Sequence, residues 1–190
     1  MSGKTSGHDH RAAPGALAVV HAFLNTWHAD GPRERFDSPA RLQDWLAKRG
    51  LIAPATPVSA TDFDAVRRLR AGLRVLLGSA GRRAADPMEL NRLIRKARLT
   101  VQFDAAGQPH LAPDGVGVQA ALARILAAIA VGQTEGTWSR LKLCRNGECQ
   151  RIFYDASKNR SAVWCSSQLC GNRMNARAYR ARKERRPVAS

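Results

Sequence analysis

The residues best suited to chemistry are four cysteines near the end of the chain. They form two pairs, Cys144-x4-Cys149 and Cys165-x4-Cys170, separated by fifteen residues, and no other cysteine occurs. Two close pairs of thiolates can close a tetrahedral zinc (Zn2+) site, which is structural because the protein fills all four positions. Confinement of the four to 27 residues, the repeated spacing and Gly147 in the first loop favour zinc. Two disulfides or an iron–sulfur cluster remain as alternatives.

The segment between the two pairs predicts how such a site would be framed. Ile152, Phe153 and Tyr154 favour a short strand, and residues 155–160 have the composition of a turn. Trp164 directly precedes the third cysteine. We expect it to pack over the site rather than stack on a base, because a small module needs its aromatic residue for the core.

The cysteines lie in the most basic part of the chain. The protein has 190 residues, a formal net charge of +16 and a pI near 11.2. Residues 138–190 carry 13 Lys and Arg against 3 Asp and Glu, whereas residues 1–137 carry 18 against 12. An excess of positive charge carried mainly by arginine predicts a polyanionic partner, and its position predicts that the C-terminal segment binds that partner.

A basic helix is predicted directly after the last cysteine, where the sequence GNRMNARAYRARKERR is rich in Ala, Arg and Lys. Its cations crowd one face, and like charges four residues apart destabilise an isolated helix, which favours a bound polyanion over a merely solvated surface. Met174, Ala178 and Ala181 form a weakly apolar face that predicts docking on the zinc module. The residues expected to contact nucleic acid are Arg173, Arg177, Arg180, Arg182 and Lys183.

The preceding part of the chain predicts a bundle of helices. Residues 1–14 are polar and aperiodic and are expected to form a disordered leader. Apolar residues at helical spacing predict a first helix from residue 15 to about residue 28. The next three helices are expected to begin at the N-caps Ser38, Thr61 and Asp86.

A small hairpin and a fifth helix complete this predicted domain. Residues 99–111 alternate apolar and polar side chains around Gly107, which predicts two short strands and a turn. The Ala-rich run that follows, VGVQAALARILAAIAV, is expected to end at Gly132, to lie at the centre of the bundle and to be too short for a membrane span. Residues 132–137 are expected to act as a hinge.

The helical domain offers no arrangement typical of a catalytic site, because its histidines are scattered and its acidic residues occupy caps and surfaces. Asn25 and Thr26 could meet a small ligand, although local hydrogen bonding is the favoured interpretation. Four arginines on the third helix could form a solvated face or bind phosphate. These arginines are Arg67, Arg68, Arg70 and Arg74.

The residues also resemble two known families. The run from Cys165 to Arg173, CSSQLCGNR, resembles the signature of the CGNR zinc finger, and FLNTWH with SPARLQDWLAKRGLI resembles the ABATE domain. The resemblance implies a helical N-terminal domain, a finger with the four cysteines as zinc ligands, and a bacterial stress-related transcription regulator that binds DNA. Within the signature, we expect Asn172 to cap or brace the turn after Cys170 and Arg173 to contact phosphate or a base edge.

These observations predict a mainly α protein with two parts. A helical bundle with one small β-hairpin is expected over residues 15–136, followed by a small four-cysteine zinc finger with a basic C-terminal helix over residues 137–190. The predicted function is zinc-dependent DNA binding in the cytoplasm, with RNA or ribosome association as the alternative. We expect no enzyme and no membrane association. A small-molecule effector of the helical domain and a homodimer are left open.

Overall fold

The computed structural model describes residues 12–30, 34–78 and 86–184, so most of the predicted leader lies outside the described residues. The described part is mainly helical with two antiparallel hairpins, which confirms the predicted fold class. Its helices are α1 (Leu17–Leu24), α2 (Pro39–Ala47), α3 (Ala60–Gly78), α4 (Pro87–Ile94), α5 (Gly117–Thr134) and α6 (Asn172–Glu184). Its strands are β1 (Leu99–Phe103), β2 (Pro109–Pro113), β3 (Leu141–Leu143) and β4 (Ile152–Tyr154).

The hydrophobic core lies where α1, α3 and α5 pack together, and α2 closes one side of it. Phe23, Phe36 and Trp45 form an aromatic cluster there, with Phe36 and Trp45 edge to face at 5.5 Å between ring centroids. By length and composition α5 could cross a membrane. Its buried residues instead pack into this core, which is the behaviour expected of the central helix of a bundle.

The helix starts follow the predicted caps at two of three positions. Ser38 accepts a hydrogen bond from the backbone N–H of Arg41, and Asp86 accepts one from Met88. The prediction of Thr61 as the third cap is wrong. Ser59 caps α3 through the N–H of Asp62, because it occupies the required position two residues earlier.

The sequence predicted that the fifth helix ends at Gly132. In the structure this glycine lies inside the helix. A Cβ atom built at Gly132 would come 2.9 Å from three carbon atoms of Leu17, which is itself buried. The glycine therefore permits the close approach of α5 to α1. The helix continues to Thr134, and the N–H of Thr137 then bonds the Gly132 carbonyl at 2.8 Å.

The β3–β4 hairpin joins the helical core although it lies beyond the predicted domain boundary at residue 137. Leu141 and Ile152 are buried in the same cluster as the residues of α1, α3 and α5. The strands pair antiparallel with Leu141 opposite Tyr154. The predicted hinge at residues 132–137 therefore comprises the end of α5 and a short turn, and both of its neighbouring elements pack into the helical core.

We expect the change Gly132→Ala to lower the free energy of unfolding by up to about 2 kcal/mol, since the added methyl group overpacks Leu17. The overpacking costs about 1–3 kcal/mol, and the gain of about 1 kcal/mol that alanine ordinarily gives within a helix offsets part of it. Urea denaturation measures the difference. Gly147→Ala is the matched control, because a Cβ there meets no atom within 4 Å; equal midpoints for the two variants would contradict the packing argument.

Candidate metal centre and its junction with the helical domain

The first cysteine pair lies in the loop that connects β3 to β4. Cys144 follows β3, and its N–H bonds the carbonyl of Arg151 at 2.8 Å, so the ladder extends beyond the strands. The N–H of Cys149 bonds the carbonyl of Asn146 at 2.9 Å, which folds the loop back on itself. Gln150 has a φ of +50° and completes the tight return into β4. The thiols of Cys144 and Cys149 thereby lie close to each other in one cluster.

The second pair is arranged by a single wide turn over residues 167–171. Ser166 caps this turn by accepting the N–H of Leu169 at 3.2 Å. A Cβ atom at Gly171 would lie 3.3 Å from the ring of Trp164, so glycine allows the indole to pack closely. Trp164 packs against the buried cysteine cluster, as the sequence predicted.

The four sulfur atoms meet in one buried cluster. All four Sγ atoms lie within 4.8 Å of one another, with 3.5 Å between Cys149 and Cys165 and 3.6 Å between Cys165 and Cys170. A disulfide requires about 2.05 Å, so the cysteines are free thiols. Sulfurs bound at about 2.3 Å around a tetrahedral ion would be roughly 3.8 Å apart. The observed separations fit a metal site of this kind.

The electrostatics of the cluster also call for a cation. Hydrogen bonds from the thiols of Cys149 and Cys165 lower the pKa of Cys144 to about 2. Donation to Cys144 raises the pKa of Cys149 to about 12, and the pKa of Cys165 is raised for the same reason. The closeness of these three sulfurs therefore opposes the ionisation of more than one of them. A bound cation would stabilise all four thiolates and displace the remaining protons.

Asn146 supports the cluster and was not predicted as a functional residue. It is fully buried, and its amide nitrogen lies 3.6 Å from Sγ of Cys170. Its Oδ1 accepts the N–H of Glu148 at 3.2 Å, which fixes the loop between the first two cysteines. A bond of this type orients a metal ligand from outside the coordination sphere. An asparagine within a C-x4-C loop was the only available sequence signal.

A buried ion pair anchors the loop that leads to the second cysteine pair. Asp155 lies in the interior and contacts Nζ of Lys142 at 2.7 Å. Burial alone would raise the pKa of Asp155, but hydrogen bonds from Lys142 and Ser157 outweigh it and lower the pKa to about 2. Lys142 also donates to the carbonyls of Arg160 and Ala162. The sequence predicted only a turn at this position.

Helix α6 begins directly after the metal cluster and projects from it. None of its residues is buried, and its main contact is with the turn that precedes it. The predicted docking face forms only in part, because Met174 in the first turn is half-buried whereas Ala178 and Ala181 are exposed. The five cations predicted to contact nucleic acid all lie exposed on this helix, at Arg173, Arg177, Arg180, Arg182 and Lys183.

Asn172 and Arg177 connect α6 to the cysteine cluster. Asn172 is exposed as the first residue of the helix, and it also closes the turn, because its backbone N–H bonds the carbonyls of Leu169 and Ser167. Ser166 caps the other end of this turn. Arg177 forms an ion pair with Glu148 in the first cysteine loop. This pair ties the helix to the cluster and partly neutralises one cation of the basic surface.

Asn25 and Thr26, predicted as a candidate ligand pocket, form hydrogen bonds with other residues of the chain. The amide of Asn25 donates to the carbonyl of Ile152 at 2.8 Å and accepts its N–H at 2.9 Å, as a neighbouring strand would. These bonds end α1 earlier than predicted. Thr26 is buried, donates to the Phe23 carbonyl and accepts a bond from Arg70. Asn25 therefore joins the helical domain to the finger.

Further side chains of the helical domain bind the backbone of the finger. His21 contacts the Ile152 carbonyl through Nε2 at 2.9 Å, and burial lowers the pKa of this histidine. Arg74 donates to the carbonyls of Leu24 and Gln150 and lies 4.6 Å from the Trp27 ring centroid. The sequence predicted a solvated or phosphate-binding role for this arginine. Instead, its guanidinium bridges α1, α3 and the first cysteine loop.

The comparisons with known proteins agree with this two-part architecture. Residues 15–133 match the model of the ABATE family, described as "Putative stress-induced transcription regulator", and residues 140–183 match the CGNR zinc finger. The chain belongs to the ABATE family and carries a C-terminal CGNR zinc finger. Neither is an enzyme family. A search of curated protein sequences found no match.

We expect Asn25→Leu to lower the free energy of unfolding by about 1–3 kcal/mol, because the N–H of Ile152 then lacks its partner in a partly buried junction. Denaturation at a fixed metal concentration measures the loss. Asn91→Leu, on the exposed surface of α4, is the matched control. A similar small change in both variants would show that the Asn25 amide does not hold the junction.

Proposed function

We propose that the protein is a zinc-dependent, DNA-binding transcription regulator and that it acts in the cytoplasm without enzymatic activity. The observation that carries this proposal is the position of α6, whose cations begin three residues after Cys170 and remain exposed along the whole helix. In this function the metal organises the finger, and the helix supplies the contacts to phosphate. The family description supports a regulatory role.

Zinc is the ion that the four-sulfur site favours. A closed set of four thiolates leaves no position for a reacting water, so the ion would be structural. Few large apolar side chains lie in this cluster, whose apolar members besides the cysteines are Phe153, Trp164 and Ala162. Metal binding would therefore supply much of the folding free energy of the finger.

We expect purified protein to contain one zinc ion per chain, and we expect chelation to lower its melting temperature. Cys170→Ser should lose the ion, because the site then lacks one of four thiolates. Elemental analysis and thermal unfolding measure both effects. Ser167→Ala in the same turn is the control and should keep its zinc. An iron–sulfur absorption spectrum, or full zinc content in Cys170→Ser, would contradict the assignment.

The shape of α6 supports duplex DNA over RNA. The helix has 13 residues, which corresponds to a length of about 20 Å, and its sides are open to solvent. The major groove of B-form DNA admits an α-helix, whereas the deep, narrow major groove of A-form RNA does not. Tyr179 is also exposed on this helix and is available to contact sugar or base.

We expect Arg180→Gln to weaken duplex binding and to reduce the magnitude of the salt slope by about one, since one phosphate contact is lost.

We expect Glu148→Gln to strengthen duplex binding, because it releases Arg177 from its ion pair. Fluorescence anisotropy of a labelled duplex at several salt concentrations measures both changes.

Arg41→Gln, on the exposed side of α2, is the charge-matched control and should leave affinity nearly unchanged. If Arg180→Gln and Arg41→Gln have equal effects, binding reflects net charge and not the surface of α6. A structured RNA that competes better than duplex DNA at the same salt concentration would favour the alternative of RNA or ribosome association.

A further inference from the structure

A groove lies between α3 and the finger. Its volume is about 670 Å³, within the range of about 300–1,000 Å³ that is typical of small-molecule sites. The helical domain contributes Trp27, Ala71 and Gly78, and the finger contributes Leu143 and Gln150. A Cβ at Gly78 would meet Leu143 at 2.7 Å, so the glycine allows the two parts to close around the groove.

The polar wall of the groove carries more positive than negative charge. Four arginines of α3 face it, at Arg67, Arg68, Arg70 and Arg74. Glu34 accepts both guanidinium nitrogens of Arg70 and lies 3.6 Å from Arg67. Asp64 lies 3.0 Å from Arg68. Two carboxylates therefore face four guanidinium groups.

Arg74 is the cation whose charge is least compensated. Its exposed fraction is only 7%, and among the described residues it has no carboxylate partner. Two of its N–H groups bond the carbonyls of Leu24 and Gln150, but a guanidinium has five. Burial lowers the pKa of Arg74 to about 10. The neighbouring Cys149 partly offsets this charge. A buried cation without a carboxylate partner is still costly, so an anion at this position would be stabilising.

The rest of the wall suits the body of an organic molecule. Ala71 and Leu143 present aliphatic surface, and the ring of Trp27 lines the same groove. Inorganic phosphate would leave this surface uncovered. A ligand with a carboxylate and a flat apolar body would fill both parts.

We propose that this groove binds a small organic carboxylate, whose charged group contacts Arg74 and Arg67 and whose apolar body packs on Ala71 and Leu143. This site differs from the surface of α6 proposed to contact DNA. Because the finger supplies Leu143 and Gln150, a bound ligand contacts both the helical domain and the finger.

The test uses the zinc-loaded full chain and 2-naphthoate as the probe, with 2-naphthamide as its uncharged counterpart. Calorimetry should give a dissociation constant of about 1 mM or tighter for the carboxylate. The amide and inorganic phosphate should each bind at least about tenfold more weakly, since each lacks one of the two contacts. No binding of the carboxylate, or binding of the amide or of phosphate as tight as that of the carboxylate, would overturn the proposal.

Two variants locate the site without removing Arg74, which also holds the junction. Arg67→Gln and Ala71→Leu should each weaken 2-naphthoate at least about tenfold, the first by loss of charge and the second by filling the groove. The controls Arg41→Gln and Ala60→Leu lie elsewhere on exposed helix surface and should bind normally.

A final pair of measurements tests whether the groove is separate from the surface of α6 that is proposed to contact DNA. Arg180→Gln on α6 should leave 2-naphthoate binding unchanged, and a short DNA duplex should not displace the probe competitively. Displacement by the duplex would overturn the proposal and would assign the groove to the nucleic-acid surface. Binding that changes equally in the Arg67 and Arg41 variants would overturn it as well.

Discussion

Four thiol groups placed within 4.8 Å of one another cannot all ionise without a cation, and the C-terminal part of the structure depends on this constraint. The loops on either side of the cluster are shaped to bring the sulfurs together. Asn146 and Ser166 fix these loops through hydrogen bonds to backbone N–H groups. Helix α6 begins two residues after Cys170, the last of the four candidate ligands. The direction of the basic helix is therefore set by the same cluster that a metal ion would stabilise.

The helical domain holds the finger through its backbone as well as through apolar packing. Asn25 and His21 bind Ile152, and Arg74 binds the carbonyl of Gln150, next to Cys149. The side chain of Ile152 also lies in the helical core. A change in the position of α1 or α3 would therefore act on the loop that carries the first cysteine pair. These bonds give the helical domain a physical connection through which it could influence the finger.

The sequence predicted those features that depend on local spacing. Cysteine spacing identified the metal cluster, and Ser38 and Asp86 identified two helix starts, because caps act over two or three residues. The Asn25 amide was not predictable in this way, since its partner Ile152 is 127 residues away. The end of α1 was misplaced for the same reason, because a tertiary bond replaces the next turn.

The sequence did not predict which arginines are buried, because composition alone does not identify their tertiary partners. On α3 the sequence did not distinguish them, yet Arg70 and Arg74 are buried while Arg67 and Arg68 are exposed. Only tertiary partners such as Glu34 and the Gln150 carbonyl separate the two kinds. On α6 the apolar stripe suggested docking, but alanine side chains bury too little surface to hold a helix against a small cluster.

We propose that metal binding builds the surface of α6 that contacts DNA. Repeated selection from a pool of random duplexes tests it most directly, with zinc-loaded protein, chelated protein and chelated protein to which zinc has been restored. We predict that one sequence is enriched with zinc, that enrichment disappears on chelation, and that it returns when zinc is restored. Enrichment of the same sequence after complete chelation would contradict the claim and would shift DNA recognition to the helical domain.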